Sequence, residues 1–314
     1  MYFQVAGIEV NPLVPPLVAC VISFFTSMGG VSGAFLLLPF QMSVLGFTSP
    51  SVSATNQLFN IVAIPSGVIR YMREGRMVWP LTWIVVAGTL PGVLLGAIIR
   101  VKYLPDPKNF KFFVGLVLLY IGFRMVKDLF ASAKEKSKQT SAEDEFQAMV
   151  KRFKKKQDNN ESLPRVRVRK FSLTTISYDF YGKNFQVNTL WILLLSAAVG
   201  IIGGVYGIGG GAIIAPFFVT FFGLPVYTVA GAALMGTFVT SVAGVAFYQA
   251  LAPFYPDVSV APDWLLGFLF GLGGMVGMYL GARAQKFMPA RFIKIVLAIC
   301  IFFVAGKYIW NFFK

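Results

Sequence analysis

A glycine-rich run inside apolar sequence constrains the fold of this chain most. Residues 203–216 read GGVYGIGGGAIIAP and lie between two apolar segments. Each glycine inside a helix costs about 1 kcal/mol relative to alanine, so the run predicts a break in a helix. At membrane depth, backbone outside a helix survives only where protein or a water-filled cavity satisfies its polar groups. The break is therefore a candidate site.

The break occurs twice. Residues 27–39 read SMGGVSGAFLLLP, and Gly30 aligns with Gly207 at an offset of 177 residues (207 − 30 = 177). The same offset joins further pairs, which are Gly33/Gly210, Pro39/Pro216, Gly67/Gly244 and Tyr71/Tyr248. Later pairs such as Gly88/Gly273 follow an offset of 185 (273 − 88 = 185), so the second copy carries an eight-residue insertion near 252–261. This duplication predicts two structural repeats.

The composition is that of a membrane protein. Hydrophobic residues make up 56% of the 314 residues and charged residues 13%, and the mean hydropathy is +0.70. Soluble domains are about 45 to 50% apolar. We therefore expect a multi-pass protein of the cytoplasmic membrane, whose lipid bilayer is its first partner. The chain has no histidine, and Cys20 and Cys300 lie in apolar segments, so no metal, cofactor or disulfide framework is predicted.

The apolar segments divide the chain into three parts. We predict a first transmembrane repeat at 1–132, a basic cytoplasmic connector at 133–187 and a second transmembrane repeat at 188–314. Each repeat is expected to be all-α, with an interrupted helix pair followed by three spanning helices. The predicted segments are 13–47 (interrupted), 50–71, 78–101 and 110–130, then 189–222 (interrupted), 226–251, 263–285 and 290–312. A span needs about 20 residues, so each interrupted segment exceeds one span and falls short of two.

The connector is polar and strongly basic. Apolar residues spaced by three and four predict a helix over 142–156, and alternation over 166–187 with a turn at 182–184 predicts a small β-hairpin. The charge is compatible with a contact to anionic lipid or nucleic acid. Cytoplasmic loops are enriched in lysine and arginine, so we favour a solvated loop and expect no nucleic-acid partner.

The repeats are either parallel or inverted. If each interrupted segment crosses the membrane once, each repeat has four crossings and the repeats are parallel. If each folds back as a re-entrant hairpin, each repeat has three crossings and the repeats are inverted. The inverted arrangement leaves fewer basic residues outside, with Arg100 among the charges of an outer loop, and is favoured by the positive-inside rule. It places both termini outside.

The two breaks suit an anion site. Half-helix N-termini carry about half a positive charge and free N–H groups, and transporters built from repeats place substrate near the midplane. Asn56 and Gln57 are expected either to donate to a bound anion or to bridge helices. The predicted substrate-binding residues are Gly30, Ser32, Gly33, Asn56, Gln57, Gly207, Gly209, Gly210 and Gly211. The glycines spaced by four at 88–96 and 273–281 predict close helix packing instead.

Several of these features resemble the TauE/SafE family of membrane permeases. They are the breaks ending at Pro39 and Pro216, the SATNQ and AGAAL segments that follow, and the PGVLLGA and VGMYLGA segments at 91–97 and 276–282. The likeness covers nearly the whole chain except the connector, which is longer than the family pattern. The resemblance implies export of a small sulfur-containing anion such as sulfite, sulfoacetate or a related organosulfonate. The substrate class comes from the resemblance alone.

Other classes of function fit the sequence less well. No acidic residue lies well inside an apolar span, which favours uniport or coupling through protonation of the substrate over a proton relay. The spans also lack the residues from which a nucleophile and base are built, so an enzyme is not expected. An anion channel using the same glycine-lined path is the alternative, and a regulatory scaffold is a third option. The oligomeric state stays open, a homo-oligomer included.

Overall fold

The fold is a bundle of α-helices with two small antiparallel sheets. The computed structural model describes residues 1–28, 32–73, 77–130, 167–172, 174–180, 183–224, 226–284 and 290–314. Gly30 and the helix predicted over 142–156 lie outside these residues.

The helices follow the predicted segments closely. The first repeat contains α1 (Val14–Met28), α2 (Ala34–Ser43), α3 (Ser51–Ala63), α4 (Pro65–Arg73), α5 (Trp79–Lys102) and α6 (Pro107–Phe130). The second contains α7 (Thr189–Tyr206), α8 (Gly211–Phe222), α9 (Val226–Leu251), α10 (Trp264–Ala284) and α11 (Ala290–Phe313). Within the described residues, six helices are long and apolar enough to cross a membrane, namely α5, α6, α7, α9, α10 and α11. The prediction of an all-α polytopic membrane protein is confirmed.

One span differs between the repeats. The segment equivalent to the continuous α9 is divided at Ile64 into α3 and α4. Pro65 follows the division, and its ring lacks an N–H and clashes with the carbonyl one turn earlier. Val242 occupies the equivalent position in α9 (242 − 65 = 177), so the second repeat keeps an unbroken helix there.

Each repeat packs its glycine-containing helix, α5 or α10, against the first helix of the other repeat, α7 or α1. On α5, a Cβ added to Gly88 would lie 2.7 Å from the carbonyl oxygen of Leu193 on α7, and Gly92 and Gly96 meet α7 one and two turns further on. The glycines of α10 meet α1 in the same way, through the pairs Gly273/Pro16, Gly277/Cys20 and Gly281/Phe24. Pro16 is the equivalent of Leu193 (193 − 16 = 177), so the two interfaces match residue for residue. The predicted packing role of both glycine stripes is confirmed.

These contacts fix the relative directions of the helices. Contacts advance together along α5 and α7, which are therefore parallel, and the same holds for α1 and α10. By contrast, α3 with α4 runs antiparallel to α9, because successive contacts are Gln57 with Gly244, Asn60 with Ser241, and Gly67 with Leu234. Helices α6 and α11 are antiparallel too, as contacts run from Phe112/Phe312 to Gly115/Ile309 and Gly122/Phe302. Equivalent helices of the two repeats thus run in opposite directions where they meet.

The connector contributes a three-stranded antiparallel sheet made of β3 (Arg167–Phe171), β4 (Thr175–Phe180) and β5 (Lys183–Asn188), while β1 (Tyr2–Phe3) and β2 (Ile8–Glu9) form a short N-terminal ribbon. The predicted hairpin is present as β4 and β5, and β3 is an addition to it. One face of the sheet is buried against the bundle through Ile176, Tyr178 and Val187. The Tyr178 hydroxyl lies 2.9 Å from Oγ1 of Thr228 near the start of α9. Burial raises the pKa of Tyr178 to about 12.

The eight-residue insertion of the second repeat closes over the N-terminus of α3. It comprises a 3₁₀ turn, Ala252–Phe254, and the loop that follows. The Ser259 carbonyl accepts a hydrogen bond of 2.9 Å from the Ser51 backbone N–H, and the Ser259 hydroxyl donates to the Val5 carbonyl at 2.7 Å. The insertion therefore links α3 to the N-terminal ribbon on one side of the bundle.

Candidate anion site at the two helix breaks

The second break is present where the sequence predicts it. Helix α7 ends at Tyr206 and α8 begins at Gly211. Gly207 and Gly209 have φ values of +85° and +72°, a left-handed conformation that favours glycine. In the first repeat α1 ends at Met28 and α2 begins at Ala34, with residues 29–31 outside the described part.

The side chain of Asn56 joins the two breaks. Its Nδ2 donates to the carbonyl oxygen of Ala34, where α2 begins, and to that of Gly207, where α7 has ended, at 3.0 Å in both cases. Its Oδ1 accepts from Nε2 of Gln41 at 3.3 Å. A second link runs from the Tyr206 hydroxyl to the Phe35 carbonyl at 2.6 Å. The start of α2 therefore meets the end of α7 inside the bundle.

Other polar side chains satisfy the carbonyls at the second break. The last carbonyls of a helix have no partner within it. The Ser53 hydroxyl donates to Val205 and the Asn60 amide to Ile208, each at 3.0 Å, while the Tyr248 hydroxyl donates to Gly204 at 3.1 Å. Asn56 and Asn60 thus act as helix bridges in this structure, which is one of the two roles that the sequence leaves open for Asn56.

The glycines of the second break are tightly enclosed. A Cβ added to Gly207 would lie 2.6 Å from Cα of Ser53 on α3, and one added to Gly210 would lie 2.5 Å from Cβ of Thr89 on α5. Gly209 and Gly211 pack against Thr237 on α9 in the same way. Close packing alone therefore requires glycine at each of these positions.

The two short helices begin beside this junction. Gly33 and Gly210 occupy equivalent positions immediately before α2 and α8. At α2 the Ala34 N–H donates to the Ser32 hydroxyl at 3.3 Å, and at α8 the Gly210 N–H donates to Oγ1 of Thr240 at 3.3 Å. Helix N-termini favour a nearby negative charge. Of the predicted site residues, Ser32, Gly33, Asn56 and the four glycines at 207 and 209–211 thus lie around one junction.

The comparisons with known proteins bear on this arrangement. A family model described as Sulfite exporter TauE/SafE matches residues 16–308. The chain belongs to the TauE/SafE family. A search of curated proteins found no match, and neither did a search of solved structures. The TauE/SafE match extends over both breaks, and together with the six candidate spans it makes this chain a multi-pass membrane transporter.

One of the predicted site residues in this TauE/SafE core has no hydrogen-bond partner among the described residues. Gln57 is fully buried, and both its amide oxygen and its amide nitrogen make no hydrogen bond to the described residues. The amide lies against Gly244 on α9. The equivalent contact in the other repeat, Leu234 against Gly67, is apolar. An unsatisfied buried polar group costs about 1–3 kcal/mol, so Gln57 is the predicted site residue whose chemistry the fold itself leaves unused.

Two further polar residues of this TauE/SafE core are absent from the sequence-based site. Gln41 is fully buried in α2, where it is bonded to Asn56 and keeps an unpartnered Oε1. Tyr206 is also fully buried and connects α7 to α2. An amide inside the otherwise apolar helix AFLLLPFQMS is a signal that identifies Gln41 from sequence. Tyr206 carries no such signal, because aromatic residues are common throughout the apolar segments.

The burial of Arg100 corrects an expectation from the sequence. The loop-charge comparison counts it among the charges of an outer loop, yet its side chain is fully buried. Nη2 donates to the Thr48 carbonyl at 3.0 Å, Nη1 donates to the Leu104 carbonyl, and the guanidinium lies 3.7 Å from the centre of the Phe110 ring. The loops that follow α2 and α5 fold over the end of α5, and so remove this charge from the surface.

Proposed function

We propose that this TauE/SafE chain exports a small sulfur-containing anion, such as sulfite, sulfoacetate or a related organosulfonate, across the cytoplasmic membrane. Family membership supports the substrate class. The observation that carries the proposal is the junction at Asn56, because it brings the start of α2 and the break before α8 to one place inside the bundle. We propose no enzymatic activity and no cofactor.

The anion is held by backbone N–H groups rather than by a buried cation. In this proposal the anion lies at the starts of α2 and α8, where the helix dipoles favour negative charge, and the backbone N–H groups of Gly33 and Gly211 face it. Asn56 positions both breaks, since its amide hydrogens are bonded to Ala34 and Gly207. Gln57 supplies an amide that donates to an oxygen of the anion.

We propose inverted repeats with re-entrant first hairpins, and the helix directions support this arrangement. Helix α9 is antiparallel to α3 and α4, and a short connection after α4 makes α5 antiparallel to them as well. Since α7 is parallel to α5, α7 and α9 start on the same side of the membrane. The short α8 lies between them and leads back to the start of α9. Transport then proceeds by alternating access around the junction.

The driving force is the substrate gradient together with the membrane potential, or protonation of the substrate itself. Within the described spanning helices, Asp128 is the only acidic residue, and it lies in the last turn of α6, away from the middle of the span. A proton relay needs carboxylates or histidines at membrane depth. An anion channel through the same path is the second candidate. Exchange of internal for external substrate distinguishes a carrier, whereas single-channel currents distinguish a pore.

The test is sulfite flux in proteoliposomes. Wild-type protein is expected to give saturable sulfite flux that external sulfite accelerates by exchange. Gln57→Leu, which installs the residue found at the equivalent position 234, is expected to reduce the flux at least tenfold. Gln249→Leu makes the same change at an exposed position on α9 and serves as the control. Absence of sulfite or sulfonate flux from folded wild-type protein would overturn the proposed function.

A further inference from the structure

Arg100 is a buried charge with no counter-ion among the described residues. Its side chain has no exposed surface, and no carboxylate among the described residues forms an ion pair with it. Removing an ion from water costs several kcal/mol unless an opposite charge or a full set of hydrogen bonds compensates. The two backbone carbonyls of Thr48 and Leu104 compensate only in part, because a guanidinium has five N–H donors.

One N–H group of the guanidinium has no acceptor among the described residues. Nη1 and Nη2 each have a carbonyl acceptor and the Phe110 ring covers one face, but buried Nε has no hydrogen-bond partner. The buried hydroxyl oxygen of Ser49, next to Thr48, also has no partner in the described structure. Arginine binds carboxylate, sulfonate and phosphate oxygens through two parallel N–H groups along an edge. The unpartnered Nε is a donor of the kind that pairs with an oxyanion.

Arg100 also lies beside the proposed path. Tyr248 belongs to the apolar cluster around this part of α5, and its hydroxyl donates to the Gly204 carbonyl near the end of α7. The apolar cluster on this side contains Ala97 and Val101, which flank Arg100 on α5, together with Val260 from the eight-residue insertion. Arg100 is thus placed between the second break and the side of the bundle that the insertion covers.

We propose that Arg100 forms a second anion subsite that takes a small oxyanion on its Nε edge, between the helix breaks and the insertion. Ser49 supplies a hydroxyl to the same anion, and the insertion covers it. The subsite differs from the junction at Asn56 because its attraction comes from a full side-chain charge. The proposal rests on the burial of Arg100, on the absence of a carboxylate partner in the described part of the chain and on the unpartnered Nε, and it does not depend on the direction or chemistry of transport.

The test uses purified full-length protein and sulfate as the probe, at constant ionic strength with chloride as the balancing anion. Wild-type protein is expected to gain several degrees in Tm as sulfate replaces chloride, because a ligand bound only by the folded state stabilises it. Arg100→Gln is expected to lose that sulfate-dependent gain, whatever its Tm in chloride. Arg73→Gln removes the same charge at an exposed position and is expected to keep the gain.

The outcomes separate this subsite from the junction. A sulfate-dependent gain that persists in Arg100→Gln but disappears in Gln57→Leu would place the anion at the junction alone and overturn the proposal, as would a wild-type Tm that ignores sulfate. If Arg100→Gln does not fold, Arg100→Lys keeps the charge without the planar fork. Its sulfate affinity is expected to fall at least tenfold, and an unchanged affinity would overturn the subsite. If sulfate binds at Arg100 but the protein shows no sulfite flux, the proposed function is wrong and this inference stands.

Discussion

The amide nitrogen of Asn56 lies 3.0 Å from the carbonyl oxygen of Gly207, a residue 151 positions later in the chain. The same nitrogen donates to Ala34, so one side chain holds the irregular backbone of both repeats. Asn56→Ala is expected to lower the free energy of unfolding by roughly 1–4 kcal/mol, because it strands two buried carbonyls and removes the acceptor of Gln41. Reversible unfolding in detergent measures this loss. Asn109→Ala, at an exposed position, is the control and is expected to change little.

Gln57 is expected to behave in the opposite way. Gln57→Leu removes two unpartnered polar atoms from a buried position, so the unfolding free energy is expected to stay the same or to rise by about 1–2 kcal/mol. The same unfolding assay checks this. A large loss of stability would mean that the amide has a structural partner, and would count against its proposed role toward the anion.

Because the two glycine interfaces match, we expect a Gly→Ala substitution in either one to reduce stability by the same amount. Gly92→Ala on α5 and Gly277→Ala on α10 each place a methyl group against a carbonyl of the neighbouring helix. Each is expected to destabilise the protein by about 1–3 kcal/mol, the usual cost of overpacking. Gly306→Ala on α11 meets nothing within 4 Å and is expected to stabilise by about 1 kcal/mol through helix propensity. Clearly unequal losses at 92 and 277 would contradict the equivalence of the two interfaces.

The docking of the connector sheet predicts an alkaline transition. The folded pKa of Tyr178 is raised to about 12 by burial, above the ordinary value of about 10. A raised pKa means that the folded state holds the proton more tightly than the unfolded state. The contribution of Tyr178 to the free energy of unfolding is therefore full below pH 10 and is lost as the pH rises toward 12. Unfolding measured from pH 8 to 12 is expected to show a decline that Tyr178→Phe reduces. An identical pH profile in Tyr178→Phe would assign the decline to other groups.

The sequence was sufficient for features that depend on a repeated pattern. The duplication, the helix boundaries other than the division at Ile64, the break at 207–211 and the packing role of Gly88 and Gly273 follow from spacing and composition, since each reflects the physics of a single helix or a repeated interface. The hairpin of β4 and β5 was likewise predictable from alternation and a turn.

Features that depend on which segments meet were not predictable. Helical periodicity places Asn56 on a face but does not say that this face meets Gly207, so bridging and ligand binding could not be separated. Arg100 was misplaced because counting loop charges treats every arginine near the end of a span as exposed. Residues of β3, Val168 and Phe171 among them, were included in the alternating segment 166–187, but the segment was interpreted as one hairpin and not as three strands.

The reciprocal pairing of α1 with α10 and of α5 with α7 has a consequence for biosynthesis. The partner of Pro16 is Gly273, which the ribosome adds 257 residues later (273 − 16 = 257). At about 5–20 residues per second, α1 waits roughly 10–50 s for the helix against which its backbone packs. Neither half of the polypeptide can complete its own interior before the other has been inserted, so assembly is a late event that involves the whole chain.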